Sequence, residues 1–429
     1  MSNRLSYLCS GLAFNRCIWF RLALGLIVVV LGIAPIAWYF RPDPRLAEAK
    51  RALLRHDYAA AHTLYQSCLE QRPDDAALLL LAAQTARRAG RYERATKHLN
   101  AYRRLKGENP SLTLEWSLLR LQRGDDQVES YLRDRAASSD TDALLVWEVL
   151  AQYYLDAYRL IDARDCLDRY LEIRPDDVKA LMGRGFIWDR LQHYADAVRD
   201  YRRAVELEPD NDRARFRLAE NLQITGPPQE AAAQYAWLRE HYPEDAKARL
   251  GLAQAWRSMG RMDDARDLLD ELLREQPQNI GALTERGRLA LEEDRASQGA
   301  EWLRRAVALA PHDREALFHL WNCLKRCGPE DEMRQCRSRF ERADADLKRL
   351  KLLTKEVLRD PLNPALRYEG GEIFLKNGEE EEGIRWLEQC LRLAPTHRLA
   401  HQTLAEHYGR IGKSQLAAHH RDLAGKALP

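Results

Sequence analysis

The stretch RPDDVKALMGRGFIWDRLQHYADAVRDYRRAVELEPDN, residues 174–211, decides the fold. It opens and closes on nearly the same phrase, and the interval from Pro175 to Pro209 is a step that repeats. The same step leads on to Pro243, Pro277 and Pro311, and again links Pro361, Pro395 and Pro429. The phrase recurs as RPDD at 72–75 and YPED at 242–245. Numbering each unit so that its proline is residue 32 puts small side chains at two fixed places. Position 8 holds Ala151, Gly185, Ala219, Ala253, Gly287, Gly371 and Ala405. Position 20 holds Ala163, Ala197, Ala231, Ala265, Gly299, Gly383 and Ala417. Two antiparallel helices approach closely only where a small side chain meets the facing ridge, with large residues filling the space beside it. Tyr154, Trp188, Leu222 and Trp256 at position 11, and Leu167, Tyr201, Tyr235 and Leu269 at position 24, supply that bulk. Gly90, Gly260, Gly378 and Gly412 mark the turn between the helices, and the proline stops the second one.

A 34-residue helix–turn–helix period with these small and large positions resembles the tetratricopeptide repeat family, over residues 42–429. The units read 42–75, 76–110, 111–143, 144–177, 178–211, 212–245, 246–279, 280–313, 314–363, 364–397 and 398–429. The third is degenerate and lacks its proline; Trp116, Gly124 and Tyr131 mark it. The ninth is nearly half as long again as the others. The resemblance implies an all-α, right-handed solenoid with a continuous concave groove, each repeat touching only its neighbours. Grouped by regularity, the organisation is a tail (1–21), an apolar segment (22–40), N-terminal units (42–143), regular units (144–313), the irregular unit (314–363) and C-terminal units (364–429).

Composition agrees. Of 429 residues, 45% are hydrophobic and 31% charged, which excludes both a disordered tail and a multi-span membrane protein. Lys and Arg number 67 against 65 Asp and Glu, so no strong field invites nucleic acid. Eight cysteines in a chain this long do not make a disulfide scaffold. One segment stands apart: Arg21 and Arg41 bracket Leu22–Phe40, nineteen residues without a charge. As a helix it covers about 28 Å, close to the hydrocarbon thickness of a bilayer. Trp19, Phe20, Trp38, Tyr39 and Phe40 form aromatic ends, so the sequence predicts an uncleaved transmembrane anchor. Arg4, Arg16 and Arg21 on one side face Arg41, Arg45, Lys50, Arg51 and Arg55 on the other, which places the repeats on the cytoplasmic side of an inner membrane.

Catalytic and nucleotide motifs such as HExxH, GxxxxGK[ST], GxSxG and GxGxxG are missing from the sequence, and no cofactor is implied. Cys323, Cys327 and Cys336 read as helix packing, as do Cys68 and Cys390. His397, His401, His419 and His420 read as exposed positions near the end of the array. The resemblance places ligands against first-helix positions 2, 5, 6, 9, 12 and 13. Here these include Lys179, Phe186, Arg190, Arg213, Phe216, Arg217, Lys247, Gln254 and Arg257, a surface suited to an extended peptide with acidic and apolar side chains. The carboxylate clamp known in the family needs Lys and Asn at positions 5 and 9 of one repeat. Glu148 and Gln152 stand there ahead of Arg213 and Arg217, so the clamp is incomplete.

The ninth unit carries Trp321 at position 8, which predicts that its helix pair cannot close as the others do. Beyond Pro329, Met333, Cys336, Phe340, Ala343, Leu347, Leu350, Thr354 and Val357 recur at spacings of three and four. This stripe either covers the next repeat or, through 330–359, pairs with a second copy or a partner helix. The chain is also similar in architecture to bacterial single-span repeat proteins of envelope assembly. The functional expectation is a membrane-anchored adaptor without catalysis that binds protein partners. The alternatives are a substrate-selecting subunit of an enzyme such as a glycosyltransferase system, and a structural oligomer.

Overall fold

The computed structural model describes residues 43–138 and 142–426, and these contain twenty-two α-helices and no strand. The candidate span Leu22–Phe40 lies outside the described residues. Among the described residues, no helix is long and apolar enough to cross a membrane.

The helices come in pairs that follow the units. The early pairs are α1 (Pro44–Leu54) with α2 (Tyr58–Gln71), α3 (Ala76–Arg88) with α4 (Tyr92–Lys106), and α5 (Pro110–Gln122) with α6 (Glu129–Ser138). Four regular pairs follow: α7 (Ala143–Asp156) and α8 (Leu160–Ile173), α9 (Val178–Arg190) and α10 (Tyr194–Leu207), α11 (Asp212–Thr225) and α12 (Pro228–His241), α13 (Ala246–Ser258) and α14 (Met262–Glu275). Then come α15 (Ile280–Glu292) and α16 (Ala296–Leu309), followed by α17 (Arg314–Cys327) and the long α18 (Glu330–Arg359). The last pairs are α19 (Pro364–Lys376) with α20 (Glu380–Leu393), and α21 (Arg398–Arg410) with α22 (Ser414–Lys426). The degenerate third unit has a second helix of only ten residues, entered through a 3₁₀ turn at Asp126–Val128. The chain divides into two compact units between Leu132 and Arg133, inside α6.

The recurring phrase acts at both ends of a helix boundary. Its proline follows the second helix, and two residues later Asp or Asn caps the next first helix. The Asp177 carboxylate accepts from the Ala180 N–H at 2.9 Å, Asn211 from Ala214 at 2.9 Å and Asn279 from Ala282 at 3.0 Å. Each bond satisfies one of the amides that a helix start leaves unpaired. At the last such position His397 caps through its imidazole, accepting from Ala400 at 3.2 Å.

The small positions are closed contacts. A Cβ on Gly185 would sit 2.8 Å from Tyr201 Cε1, and one on Gly287 would sit 2.4 Å from Leu303 Cγ. Position 8 thus packs directly under position 24 of the same unit. Packing continues from unit to unit, and one buried cluster runs from Ala197 to Ala343. The final pairs hold their own cluster, built on Leu375, Leu387, Cys390, Leu404 and Tyr408. In the ninth unit, Trp321 stacks on Phe340 with ring centroids 5.7 Å apart and carries the Lys325 ammonium 3.5 Å above its face. Trp321 at position 8 thus meets a second large ring at position 27, where position 8 of the other well-aligned units holds Gly or Ala.

The surplus turns of α18 cover the next repeat. The N-terminal half packs on α17; the C-terminal half lies along α19, burying Leu350, Leu353 and Val357 within one chain. Arg349 donates to both oxygens of Glu369 in α19, at 2.6 and 2.7 Å. Three cysteines of the array, Cys323, Cys336 and Cys390, are buried, and burial pushes each thiol up to about 11; Cys68 is also buried. His401 corrects the sequence expectation. It is buried, 3.0 Å from the Pro395 carbonyl through Nε2 and 2.9 Å from His420 through Nδ1, because α22 folds over it.

The expectation that each repeat touches only its neighbours also fails. Within the second unit, the turn after α7 meets α19 and α20, far along the chain. Arg367 donates to the Ala157 carbonyl at 3.3 Å, and Tyr158 packs on Trp386.

Candidate partner-binding groove

Successive first helices lie side by side, so α9, α11, α13, α15 and α17 form one face of the second unit. Cross-links show the alignment: Gln223 donates to the Gly251 carbonyl at 2.9 Å, and Lys179 reaches Glu148 at 3.4 Å. All nine candidate groove residues are on α9, α11 and α13. Lys179, Arg213 and Lys247 are exposed, and Phe186, Arg190, Phe216, Arg217, Gln254 and Arg257 are half-buried. Residues one period apart, such as Lys179, Arg213 and Lys247, thereby share one edge of the face.

Most of these cations already have partners. Arg257 pairs with Glu285 and, at 3.0 Å, with Glu292. Arg288 bridges Glu292 at 3.2 Å and Glu315 at 3.5 Å, and His319 extends the ladder to Glu315. Arg217 pairs with Glu220 at 2.9 Å. Arg190 lies over Phe186, 5.0 Å from its centroid, and reaches Glu382 at 3.5 Å. Among the described residues, Arg213 and Lys247 make no ion pair.

Burial raises the carboxyls of Asp189 and Glu220 above the ordinary range. Glu315 moves the other way, held below its usual value by the hydrogen bond from His319. The face therefore offers alternating charge rather than a basic stripe. Beside two unpaired cationic tips it presents the half-buried rings of Phe186, under Arg190, and Phe216, edge-on to Tyr235, and the Gln254 amide.

The counter-ions Glu285, Glu292 and Glu315 escaped the sequence reading, although a signal exists for Glu285. Arg87 meets Glu115, and Arg257 meets Glu285, each at a sequence separation of 28. The same step recurs on the second helices, where Arg202 meets Glu230 at 2.9 Å and Arg304 meets Glu332 at 2.7 Å. The step is one repeat less about a turn and a half, which is where a long side chain leaning toward the next helix lands.

Models of the tetratricopeptide repeat match residues 52–112, 178–211, 225–280 and 367–397. The chain carries tetratricopeptide repeats. No curated protein matches it. Among solved structures, it is similar to PilW, described as a widely conserved type IV pilus biogenesis factor, at 19% identity over 46% of this chain and 92% of that one (TM-score 0.40). It is similar to MamA 41-end from Desulfovibrio magneticus RS-1 at 18% identity over 39% of this chain and 95% of that one (TM-score 0.37). The human IFIT1 dimer with m7Gppp-AAAA is similar at 17% identity over 75% and 90% (TM-score 0.37).

Proposed function

We propose that this tetratricopeptide repeat protein is a non-catalytic scaffold that binds an extended segment of a protein partner along α9, α11 and α13. The observation that carries this is the shared edge of Lys179, Arg213 and Lys247, two of them without a carboxylate partner among the described residues, beside the rings of Phe186 and Phe216. The segment best suited to it presents carboxylates to the tips and apolar side chains to the rings. Arg217 is spoken for by Glu220 of its own helix, and Arg257, paired with Glu285 and Glu292, ties α13 to α15 instead. The apolar segment 22–40 would tether this scaffold to a membrane, with the repeats on the cytoplasmic side, in assembly of a membrane or envelope complex.

The test is cross-linking and pull-down from detergent-solubilised membranes with wild type and with Arg213→Glu/Lys247→Glu. Loss of a specific partner with unchanged helicity supports the reading; identical partner sets for both proteins refute the groove as the site.

A further inference from the structure

The contact between the turn after α7 and the α19–α20 pair is built, not incidental. Position 15, the turn between helices, is left-handed in most units: Gly90, Gly260, Gly378 and Gly412 have φ of 71°, 78°, 85° and 77°. Tyr158 occupies this position with φ 56°. A tyrosine there is strained, because its Cβ crowds the backbone that glycine leaves open. The other non-glycine residues with this backbone, His56, Gln192 and Asp294, are not buried, whereas Tyr158 is 4% exposed. Its ring lies 5.7 Å from that of Trp386, and the Arg367 guanidinium sits 5.2 Å from the one ring and 5.5 Å from the other. Gly370 makes room for the indole, since a Cβ there would lie 2.3 Å from Trp386 Cε3. Arg392 donates to the Asp156 carbonyl, and Arg190 reaches across to Glu382.

One member of this contact opposes it. Arg367 is fully buried, and its Nη2 reaches only the Ala157 and Pro361 carbonyls, both at 3.3 Å. Its Nε and Nη1 have no acceptor, and among the described residues it makes no ion pair; Glu382 is engaged by Arg385 at 3.0 Å. Burying a guanidinium without a counter-ion is costly. The block α19–α22 also has a hydrophobic cluster of its own, and joins the preceding core through the C-terminal half of α18. The surplus length of the ninth unit, about 24 Å of helix, carries this block along the α18 axis.

We propose that α19–α22 form a flap, latched by Tyr158 on Trp386 and poised to open by the unpaired Arg367, whose closure turns the groove of the second unit from an open trough into a ring. The ring admits a segment with a free end; a segment inside a folded partner requires the latch to release. This rests on the groove being the partner site, but the latch is tested without any partner. Hydrogen exchange read by mass spectrometry on the full chain compares wild type, Tyr158→Gly and Arg367→Met. Tyr158→Gly suits the left-handed turn, so the local fold is preserved while the stack is lost. Exchange over 364–392 then rises about tenfold, the effect of losing one aromatic pair of this kind, together with 156–162, while 246–309 is unchanged. Arg367→Met removes the buried charge, and both segments exchange more slowly. Faster exchange confined to 156–162 in Tyr158→Gly would reduce Tyr158 to a turn residue and overturn the latch. Faster exchange in Arg367→Met would overturn the poise.

Discussion

Replacing Glu115 by Gln tests whether the charge ladder holds neighbouring repeats together. Arg87 on α3 and Glu115 on α5 are 0% and 2% exposed, with Nε and Oε2 at 3.0 Å. Arg87 Nη1 also donates to Gln122 at 3.1 Å, Gln84 donates to the other Glu115 oxygen at 3.1 Å, and Arg87 Nη2 has no acceptor. Glu115→Gln keeps an acceptor oxygen but removes the carboxylate paired with the buried guanidinium. Breaking one side of such a pair costs about 3–5 kcal/mol, and the retained oxygen favours the lower figure. The double replacement Arg87→Met/Glu115→Leu removes both charges and fills similar volume, so it should lie within about 1 kcal/mol of wild type. Urea unfolding followed by peptide-resolved hydrogen exchange over 76–122 reads the local stability, and the double mutant should be more stable than the single by about 2 kcal/mol or more. A single mutant within about 1 kcal/mol of wild type would refute the reasoning by showing that the site solvates the lone guanidinium, and a double mutant as unstable as the single would refute it by placing the loss in packing and the Gln84 and Gln122 hydrogen bonds rather than in the unpaired charge.

Gly185→Leu should destabilise by about 3 kcal/mol, since even a Cβ would lie 2.8 Å from the Tyr201 ring, whereas exposed Glu206→Gln, bonded only to Arg203, should be nearly silent in the same thermal melt. His62 is fully buried with Nε2 unpartnered, 5.6 Å from the His98 ring, and burial pulls its imidazole down to about 4. The folded form thus binds the proton more weakly than the unfolded one, so its contribution is full above the ordinary histidine range and falls as pH drops toward 4. The loss is about 2 kcal/mol at about pH 5, and His62→Leu should remove most of that dependence from the exchange stability of 58–106. Leu347→Glu with Leu350→Glu should lower stability without changing mass by light scattering, because Leu350 is buried against the same chain; a dimer that dissociates would instead favour a pairing helix.

The repeat was legible because its cause is local. A proline that stops one helix and a small residue facing a large one both act within a single period, so spacing alone locates Gly185 under Tyr201; the cap at Asp177 is just as local, but it was read only from the structure. First-helix positions likewise identified the face that Lys179, Arg213 and Lys247 share. Charge type did not reveal charge state. Whether Arg257 is open to a ligand depends on Glu285 and Glu292, one repeat away, and on the lean of side chains across the interface. The meeting of Tyr158 with Trp386 lies further from sequence still. It depends on the rotation added at each of several repeat interfaces and on the length of α18, small angles that accumulate until two turns remote in the chain touch. Periodicity determines what each repeat is; only the summed geometry of their packing decides which distant repeats meet.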